Sequence, residues 1–550
     1  MVKTKEEIKV EIAINLMGGL GLFLYGMNLM GDGLQKSAGS KLKRIVELLT
    51  SNVLMGVIVG ALVTAIIQSS SATTVMVVGF VNAGIMNLPQ AIGVIMGANI
   101  GTTITAQLVS LDLVGLAPVA LGIGIILYLF SSNSKTKNIA EILIGFGILF
   151  TGMDFMKAAV KPLTQYAGFT TALATLGQNP ILGILLGFGI TAVVQSSSAS
   201  MGMLLAVAST GAISLGAALP ILYGENIGTC VTSLISSIGA SKNAKRAATM
   251  HLIFNIIGTL VFMLVLTKPI IAVVTAMDPN DVSRQIANSH TLFNIVNVLV
   301  LLPFSKLIVK LTMKLVPEND NELVDTKTVK YIDERMMETP SIALSNTVKE
   351  TLRMGDKARG VLKTSMDALL EKSQSKVDES LVEEQKINAL QKAILNFLLK
   401  LSKTSLNNES REGVDALFNT VNDIERIGDH AENIAELAQG VIDNDLNLSE
   451  EGKEEIKVIY TKVMNTYMTA LEAMEKSDVD LACKVIKMEE QVDMMEKVCR
   501  DNHMRRLNEG LCTIDSGIIF LDLVSNLERI SDHSVNIAEQ LIKSNNKHIA

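Results

Sequence analysis

The chain of 550 residues has no tryptophan, four cysteines and ten prolines. Without Trp, any aromatic belt at a bilayer surface must rest on its few Tyr and Phe. Cys230, Cys483, Cys499 and Cys512 form no CxxC pair, so the expectation is free thiols in a reducing compartment. No P-loop, nucleotide fingerprint or nucleophile–base pair appears, which argues against an enzyme. The mixed-charge Met1–Glu11 is followed by a long apolar run with no small-residue cleavage site. That run is expected to be a first transmembrane helix rather than a removed signal peptide.

What is present divides in two. Residues 1–316 carry 19 Lys+Arg and 11 Asp+Glu, and residues 317–550 carry 29 and 44. The first part reads as membrane, with the lipid bilayer as its surroundings, and the second as an acidic, soluble helical domain. Nucleic acid is excluded as a partner of the tail, because a phosphate backbone needs a basic face.

The membrane part is one unit written twice. Thr50–Thr74 (TSNVLMGVIVGALVTAIIQSSSATT) aligns with Gly177–Met201 (GQNPILGILLGFGITAVVQSSSASM) at an offset of 127. The same offset aligns GANIGTTIT (Gly97–Thr105) with GENIGTCVT (Gly224–Thr232). An offset of 126 pairs GLFLYGMNLM (Gly21–Met30) with GILFTGMDFM (Gly147–Met156). Seven runs reach the length of a span, near 12–30, 89–110, 113–131, 139–157, 215–238, 249–267 and 291–311. The stretches 53–84 and 180–211 are too long for one helix and too short for two crossings, and each has a polar QSSS at its centre. Re-entrant helix–turn–helix hairpins fit both.

Three crossings precede the second repeat, so that repeat is expected to be inverted. With the C-terminal tail in the cytoplasm, the basic clusters Lys36/Lys41/Lys43/Arg44, Lys135/Lys137 and Lys242/Lys245/Arg246 all fall inside, as the positive-inside rule requires. Lys157 and Lys161 are the exception. The two hairpins then enter from opposite faces and their tips can meet.

The tips have the chemistry of an anion site at a repeat interface. Ser69, Ser70, Ser71, Ser196, Ser197 and Ser198 offer hydroxyls that donate and accept. The helices resuming after each tip aim their N-terminal N–H groups back at it. Gln68 and Gln195 add amide donors. Asn99, Thr102 and Thr103, with Asn226 and Thr229, are expected to interrupt the following helices and to offer oxygen ligands suited to Na⁺. Glu225 is the one acid inside a motif, a candidate for a cation-related role. No Lys or Arg lies in these motifs, so a multivalent anion would need bound cations as counter-charge. HLIFNI (His251–Ile256) and HTLFNI (His290–Ile295) form a smaller echo, whose histidines read as packed and hydrogen-bonded, with a proton relay as the alternative.

These QSSS pairs, the G-x-N-I-G-T segments and the HxxFN pairs resemble the type II sodium–phosphate cotransporter family over about residues 10–312. The resemblance implies a symporter of inorganic phosphate and Na⁺, with Gln68–Ser71 and Gln195–Ser198 as the shared substrate and sodium region.

The tail repeats as well. Ile424–Glu436 (IERIGDHAENIAE) matches Leu527–Glu539 (LERISDHSVNIAE) at an offset of 103, and Glu383–Asn388 is similar to Glu489–Asp493 at 105. These are two copies of a three-helix unit. E-x-x-x-D puts Glu425 with Asp429, and Glu528 with Asp532, on one helical face. The alternative is a solvated stripe bridged to Arg426 or Arg529. Residues 335–545 resemble the PhoU family, regulators of phosphate uptake whose repeats carry E-x-x-x-D metal clusters. That implies a divalent or iron-type metal, with Glu489 and Asp493 as a third pair, and a cytoplasmic location for the domain. Glu384 pairs with Asn388, not Asp, which leaves a fourth pair open.

The fold expected is all-α: a multi-pass helical protein of the cell membrane with inverted repeats and two re-entrant QSSS hairpins, then a helical bundle of two three-helix repeats. The divisions are 10–135, 136–312, a linker at 313–334, and the tail at 335–545. The function expected is sodium-dependent phosphate import regulated by the tail. Its rivals are symport of another oxyanion or a dicarboxylate, and a phosphate sensor without turnover. The oligomeric state stays open, a homo-oligomer included.

Overall fold

The computed structural model describes residues 5–39, 45, 52–111, 113–317 and 328–546. Lys41, Lys43 and Arg44, used above for orientation, and most of the expected linker lie outside them. The chain divides into two compact units, Met1–Leu323 with Asp333–Ile342, and Val324–Ile332 with Ala343–Ala550. Among the described residues both are helical, without strands.

The first unit begins with α1 (Lys5–Ala38). Its first repeat continues with α2 (Val53–Ile67), α3 (Ser70–Asn82), α4 (Leu88–Gly101), α5 (Thr103–Ser110) and α6 (Ala117–Phe130). The second runs through α7 (Ser134–Val160), α8 (Ala167–Gln178), α9 (Pro180–Val194), α10 (Ser197–Ser209) and α11 (Leu215–Ser236). Beyond it lie α12 (Lys242–Val261), α13 (Thr267–Met277), α14 (Val282–Leu301) and α15 (Ser305–Leu315). Among the described residues, six helices or helix pairs are long and apolar enough to cross a membrane: Val10–Ala38, Leu88–Ser110, Leu113–Phe130, Ser134–Gln165, Lys242–Met277 and Val282–Leu315. The seventh expected run is α11. It is 22 residues long, but Glu225, Asn226, Thr229 and Ser233 make it too polar to count by composition.

Close backbone approach sets the packing, as expected of helices that associate through small residues in lipid. A Cβ on Gly26 of α1 would lie 2.3 Å from Leu149 N, and one on Gly19 would lie 2.9 Å from Gly152 O. Reciprocally, Gly145 faces Met30 N at 2.4 Å and Gly152 faces Phe23 N at 2.4 Å. Low numbers on α1 meet high numbers on α7, so the two helices run antiparallel. Because Gly145 and Gly152 are the repeat equivalents of Gly19 and Gly26, the contact is of the self-complementary, two-fold kind.

The hairpins repeat with the same fidelity. α2 packs parallel to α4, Gly97 standing against Val57 O, and α9 packs parallel to α11, Gly224 standing against Ile184 O. In each case a Cβ would fall 2.0 Å from that oxygen. α2 and α3, with 15 and 13 residues, are about 20–22 Å long at 1.5 Å per residue, short of a bilayer's ~30 Å hydrocarbon core.

The second unit contains α16 (Pro340–Glu371), most of it, then α17 (Gln374–Leu401), α18 (Asn408–Asp443), α19 (Glu450–Lys476), α20 (Val479–Asn508) and α21 (Ile514–Asn546). Its core is aliphatic, with Ile387, Val421, Ile424, Ile427, Ile459, Val463, Leu527 and Ile530 fully buried. The two repeats clasp each other reciprocally. His430 Nδ1 lies 2.9 Å from Asn526 Oδ1, and His533 Nδ1 lies 3.0 Å from Asp423 Oδ1; 423/526 and 430/533 are equivalent pairs at offset 103.

Candidate functional site

Each QSSS is built as a break between two helices. α2 ends on Gln68 with φ 60° and ψ 23°, and α9 ends on Gln195 with φ 56° and ψ 24°. Both are in the left-handed region that non-glycine residues seldom occupy and that persists where surroundings impose it. Ser69 (φ −146°, ψ 107°) and Ser196 (φ −142°, ψ 107°) then cap the next helices. Ser69 Oγ accepts from Ala72 N at 3.1 Å and Ser196 Oγ from Ala199 N at 3.2 Å. One hydroxyl bridge ties the two arms of each hairpin: Thr64 to Thr73 and Thr191 to Ser200, both 2.9 Å. A cap satisfies only part of a first turn, so N–H groups remain directed at the break.

Both breaks line one cavity of about 410 Å³, a size suited to a small ligand with water. Gln68, Ser69, Ser70, Ser71, Gln195, Ser196, Ser197 and Ser198 all border it. The two glutamines differ in employment. Gln68 is buried, accepts from Thr105 Oγ1 at 2.9 Å and donates to Ala65 O at 2.5 Å, whereas Gln195 is exposed at the cavity.

The remaining motif residues stand back from it. Asn99, Thr102, Thr103, Glu225, Asn226 and Thr229 are buried but do not line the cavity. Among the described residues, Ser70 Oγ donating to Thr102 Oγ1 at 3.4 Å joins them to a tip serine. The expected interruption of the following helices holds only at Thr102, between α4 and α5; α11 runs unbroken through Asn226 and Thr229. The polar side chains fold onto their own helix instead. Asn99 Nδ2 donates to Ile95 O at 2.8 Å, Asn226 Nδ2 to Leu222 O at 2.9 Å and Thr229 Oγ1 to Glu225 O at 3.0 Å. Such bonds satisfy the side chain without opening the backbone. Glu225 Oε2 is buried with no hydrogen-bond partner among the described residues.

Sequence reasoning missed one wall. Asn28, Asp32 and Gln35 of α1 line the cavity, and so does Glu338. Asn28, Asp32 and Gln35 fall at i, i+4 and i+7 in an otherwise apolar span, a signal that was there to read; an acid inside a span is functional by default. Among the described residues the lining holds two carboxylates and no Lys or Arg.

In the tail, two acidic triads bring their oxygens within 4.8 Å of one another: Glu384, Asp429 and Glu432, and Glu489, Asp493 and Asp532. Glu384 and Glu489 are equivalents, as are Asp429 and Asp532. The third acids differ: where Asp493 has Asn388 as its counterpart, Glu432 supplies the missing carboxylate, and its own counterpart is Val535. Glu425 and Glu528 fall outside the triads. Burial, then neighbouring carboxylates, pushes Glu384 up to about 7, and burial with Asp493 does the same to Glu489. Asp532 is raised by burial and by Asp493. Carboxylates crowded together in this way are oxygen donors for a hard or borderline cation.

Comparison with known proteins fits these two halves. The chain matches the Na+/Pi-cotransporter family over residues 22–158 and 161–277, and the PhoU domain over 351–438 and 456–541. A Salmonella typhimurium relative named inorganic phosphate export protein YjbB is 25% identical over 537 residues, covering 96% of this chain and 97% of that one. Bacillus subtilis YqeW, uncharacterized, is 31% identical over 306 residues, covering 56% of this chain and 99% of its own length. The human sodium-dependent phosphate transport protein 2B is 29% identical over 201 residues, 34% of this chain and 29% of that one. The chain therefore belongs to the Na+/Pi-cotransporter family of membrane transporters, not enzymes, and carries a C-terminal PhoU domain.

Proposed function

We propose that the chain is a sodium-coupled transporter that imports inorganic phosphate across the cytoplasmic membrane, with one anion site shared by the two QSSS tips. The observation that carries this reading is the convergence of both tips, equivalent in sequence and in backbone angles, on one cavity. The serine hydroxyls and first-turn N–H groups hydrogen-bond the phosphate oxygens. With two acids and no base in the lining among the described residues, a phosphate dianion enters together with cations, and sodium is the cation that the human relative's name supplies.

The antiparallel, reciprocal packing of α1 on its equivalent α7 supports inversion of the repeats. The parallel packing of α2 with α4, around hairpins too short to cross, supports re-entrance from one face. Inverted halves can rock about a fixed site and expose it to each side in turn, which a sensor without turnover does not need. The tail lies in the cytoplasm, following the basic loops, and its triads hold a divalent or iron-type cation: Glu384, Asp429 and Glu432 in one repeat, Glu489, Asp493 and Asp532 in the other.

A second reading, export, is favoured by the name of the relative that covers the whole chain. Radiolabelled phosphate uptake into proteoliposomes decides both points. An inward sodium gradient drives accumulation if the first reading is right. Accumulation indifferent to sodium, or phosphate moving only against the sodium gradient, contradicts it.

A further inference from the structure

Glu338 reaches the cavity from an unexpected place. It lies beyond the last membrane-unit helix α15, in a 3-10 turn, Glu334–Glu338, at the entry to α16. That short segment belongs with the membrane unit, and it is bolted there. Arg335 Nε donates to Ser236 O at 2.6 Å and its Nη2 to Ile238 O at 3.4 Å. These are carbonyls at the C-terminal end of α11, where a guanidinium both satisfies orphan acceptors and meets the negative end of the helix. Asp333 receives Asn82 Nδ2 at 2.5 Å and pairs with Arg335 at 2.8 Å. Asn82, in turn, accepts from Ser241 N at 2.8 Å. Met336 is fully buried, its Cγ 3.6 Å from where a Cβ on Gly79 would stand.

The segment thus holds α3, one arm of the first hairpin, to the end of α11, and carries one carboxylate onward to the cavity. Asp32, the other carboxylate of the lining, is built into α1. Glu338 differs because it sits on a short turn, held by a few polar contacts and by the buried Met336, Thr339, Pro340 and Ile342, and because the chain runs on directly through α16 into the second unit.

We propose that Glu338 is a tethered anion that competes with phosphate for the cavity between the QSSS tips, and that the Asp333–Arg335 clasp sets how firmly it is held there. This rests on the reading of the tips as the phosphate site. Hydroxyls and helix N-termini that favour a phosphate oxygen favour a carboxylate oxygen for the same reason, and a fixed negative charge disfavours a second anion in the same space.

The test measures phosphate and sodium binding to the purified full-length chain, with transport kinetics alongside. Glu338→Gln removes the charge and keeps the shape; it tightens phosphate about three- to tenfold, the scale of one like charge across a partly solvated cavity. Arg335→Ala keeps every charge of the lining but frees the segment, and moves phosphate KM in the same direction with little change in kcat. Unchanged phosphate affinity in both variants overturns the proposal. So does weaker phosphate or sodium binding in Glu338→Gln, which would make Glu338 a ligand of the cargo. Ser70→Ala separates the two readings: if it binds phosphate as the wild type does, the site assignment itself falls, whatever Glu338→Gln shows.

Discussion

Close glycine approaches carry the packing of the hairpins, and alanine at Gly97 or Gly224, one in each repeat, tests the architecture. At Gly97 the added methyl would stand 2.0 Å from Val57 O and 2.8 Å from Ala61 N; at Gly224 it would stand 2.0 Å from Ile184 O. Non-bonded carbon contacts are comfortable at about 3.5–4.0 Å, so each pair of helices must separate by more than about 1 Å. Both obstacles are backbone atoms inside helices, and no rotamer change relieves them. Overpacking of this kind costs about 1–3 kcal/mol, against a gain of ~1 kcal/mol from replacing glycine in a helix interior. Gly122→Ala and Gly189→Ala are the controls, since nothing lies within 4 Å of either added methyl; they should be neutral or slightly stabilising.

The melt must be followed without tryptophan fluorescence, and the cysteines provide the means. Cys230 is fully buried in α11 and the other three cysteines lie in the tail; with Cys483, Cys499 and Cys512 replaced by alanine, a thiol-reactive dye gives a cooperative rise when the membrane unit opens. We expect the midpoint of Gly97→Ala and Gly224→Ala to fall by about 2–6 °C, and phosphate affinity to fall with it, because α2 and α9 end on the tips. Wild-type melting in both variants, indistinguishable from the controls, would refute the packing on which the site depends.

Three further outcomes follow. The metal affinity of the tail should rise about tenfold between pH 6 and pH 8 for each triad, since one carboxyl near 7 is about one-tenth ionised at the first and nine-tenths at the second; Mn²⁺ calorimetry on the full chain reads this, and Asp429→Asn with Asp532→Asn should abolish it. Without metal the sign for stability is opposite: a carboxyl raised in the folded state favours folding at acid pH and loses that contribution as pH rises through about 7, so thermal stability should drop from pH 5.5 to pH 8, and a flat profile would contradict the crowding of the triads. Cysteines at Ser241 and Ser134 should react with an impermeant thiol reagent from the cytoplasmic side alone and one at Asn280 from the other side alone; same-side labelling of 241 and 280 would remove the inverted topology.

Much of the site was legible because the repeat is local in sequence: QSSS, its glutamine and the spacing to the following glycines occur twice, and the backbone angles at Gln68 and Gln195 agree as the residues do. The fate of Asn99, Asn226 and Thr229 was not legible. That their donors bond back to the preceding turn, leaving the oxygen of each as a candidate cation ligand, depends on side-chain rotamers that spacing does not show. Glu338 was hidden for a different reason, since its position depends on Arg335 finding the end of α11 about 100 residues earlier in the chain. In the tail, Asn388 made a fourth E-x-x-x-D pair look deficient, and the compensating Glu432 lies on another helix, out of reach of a spacing argument.

The central claim is that both tips make one phosphate site, and equilibrium binding of radiolabelled phosphate to the full-length protein in sodium tests it most directly. Ser70→Ala and Ser197→Ala each remove a donor from the same site, at about 1–3 kcal/mol per lost buried hydrogen bond. The wild type should bind one phosphate per chain, and each single variant should weaken all of that binding. Binding by each single variant at half the wild-type stoichiometry with wild-type affinity would show two independent sites and contradict the account.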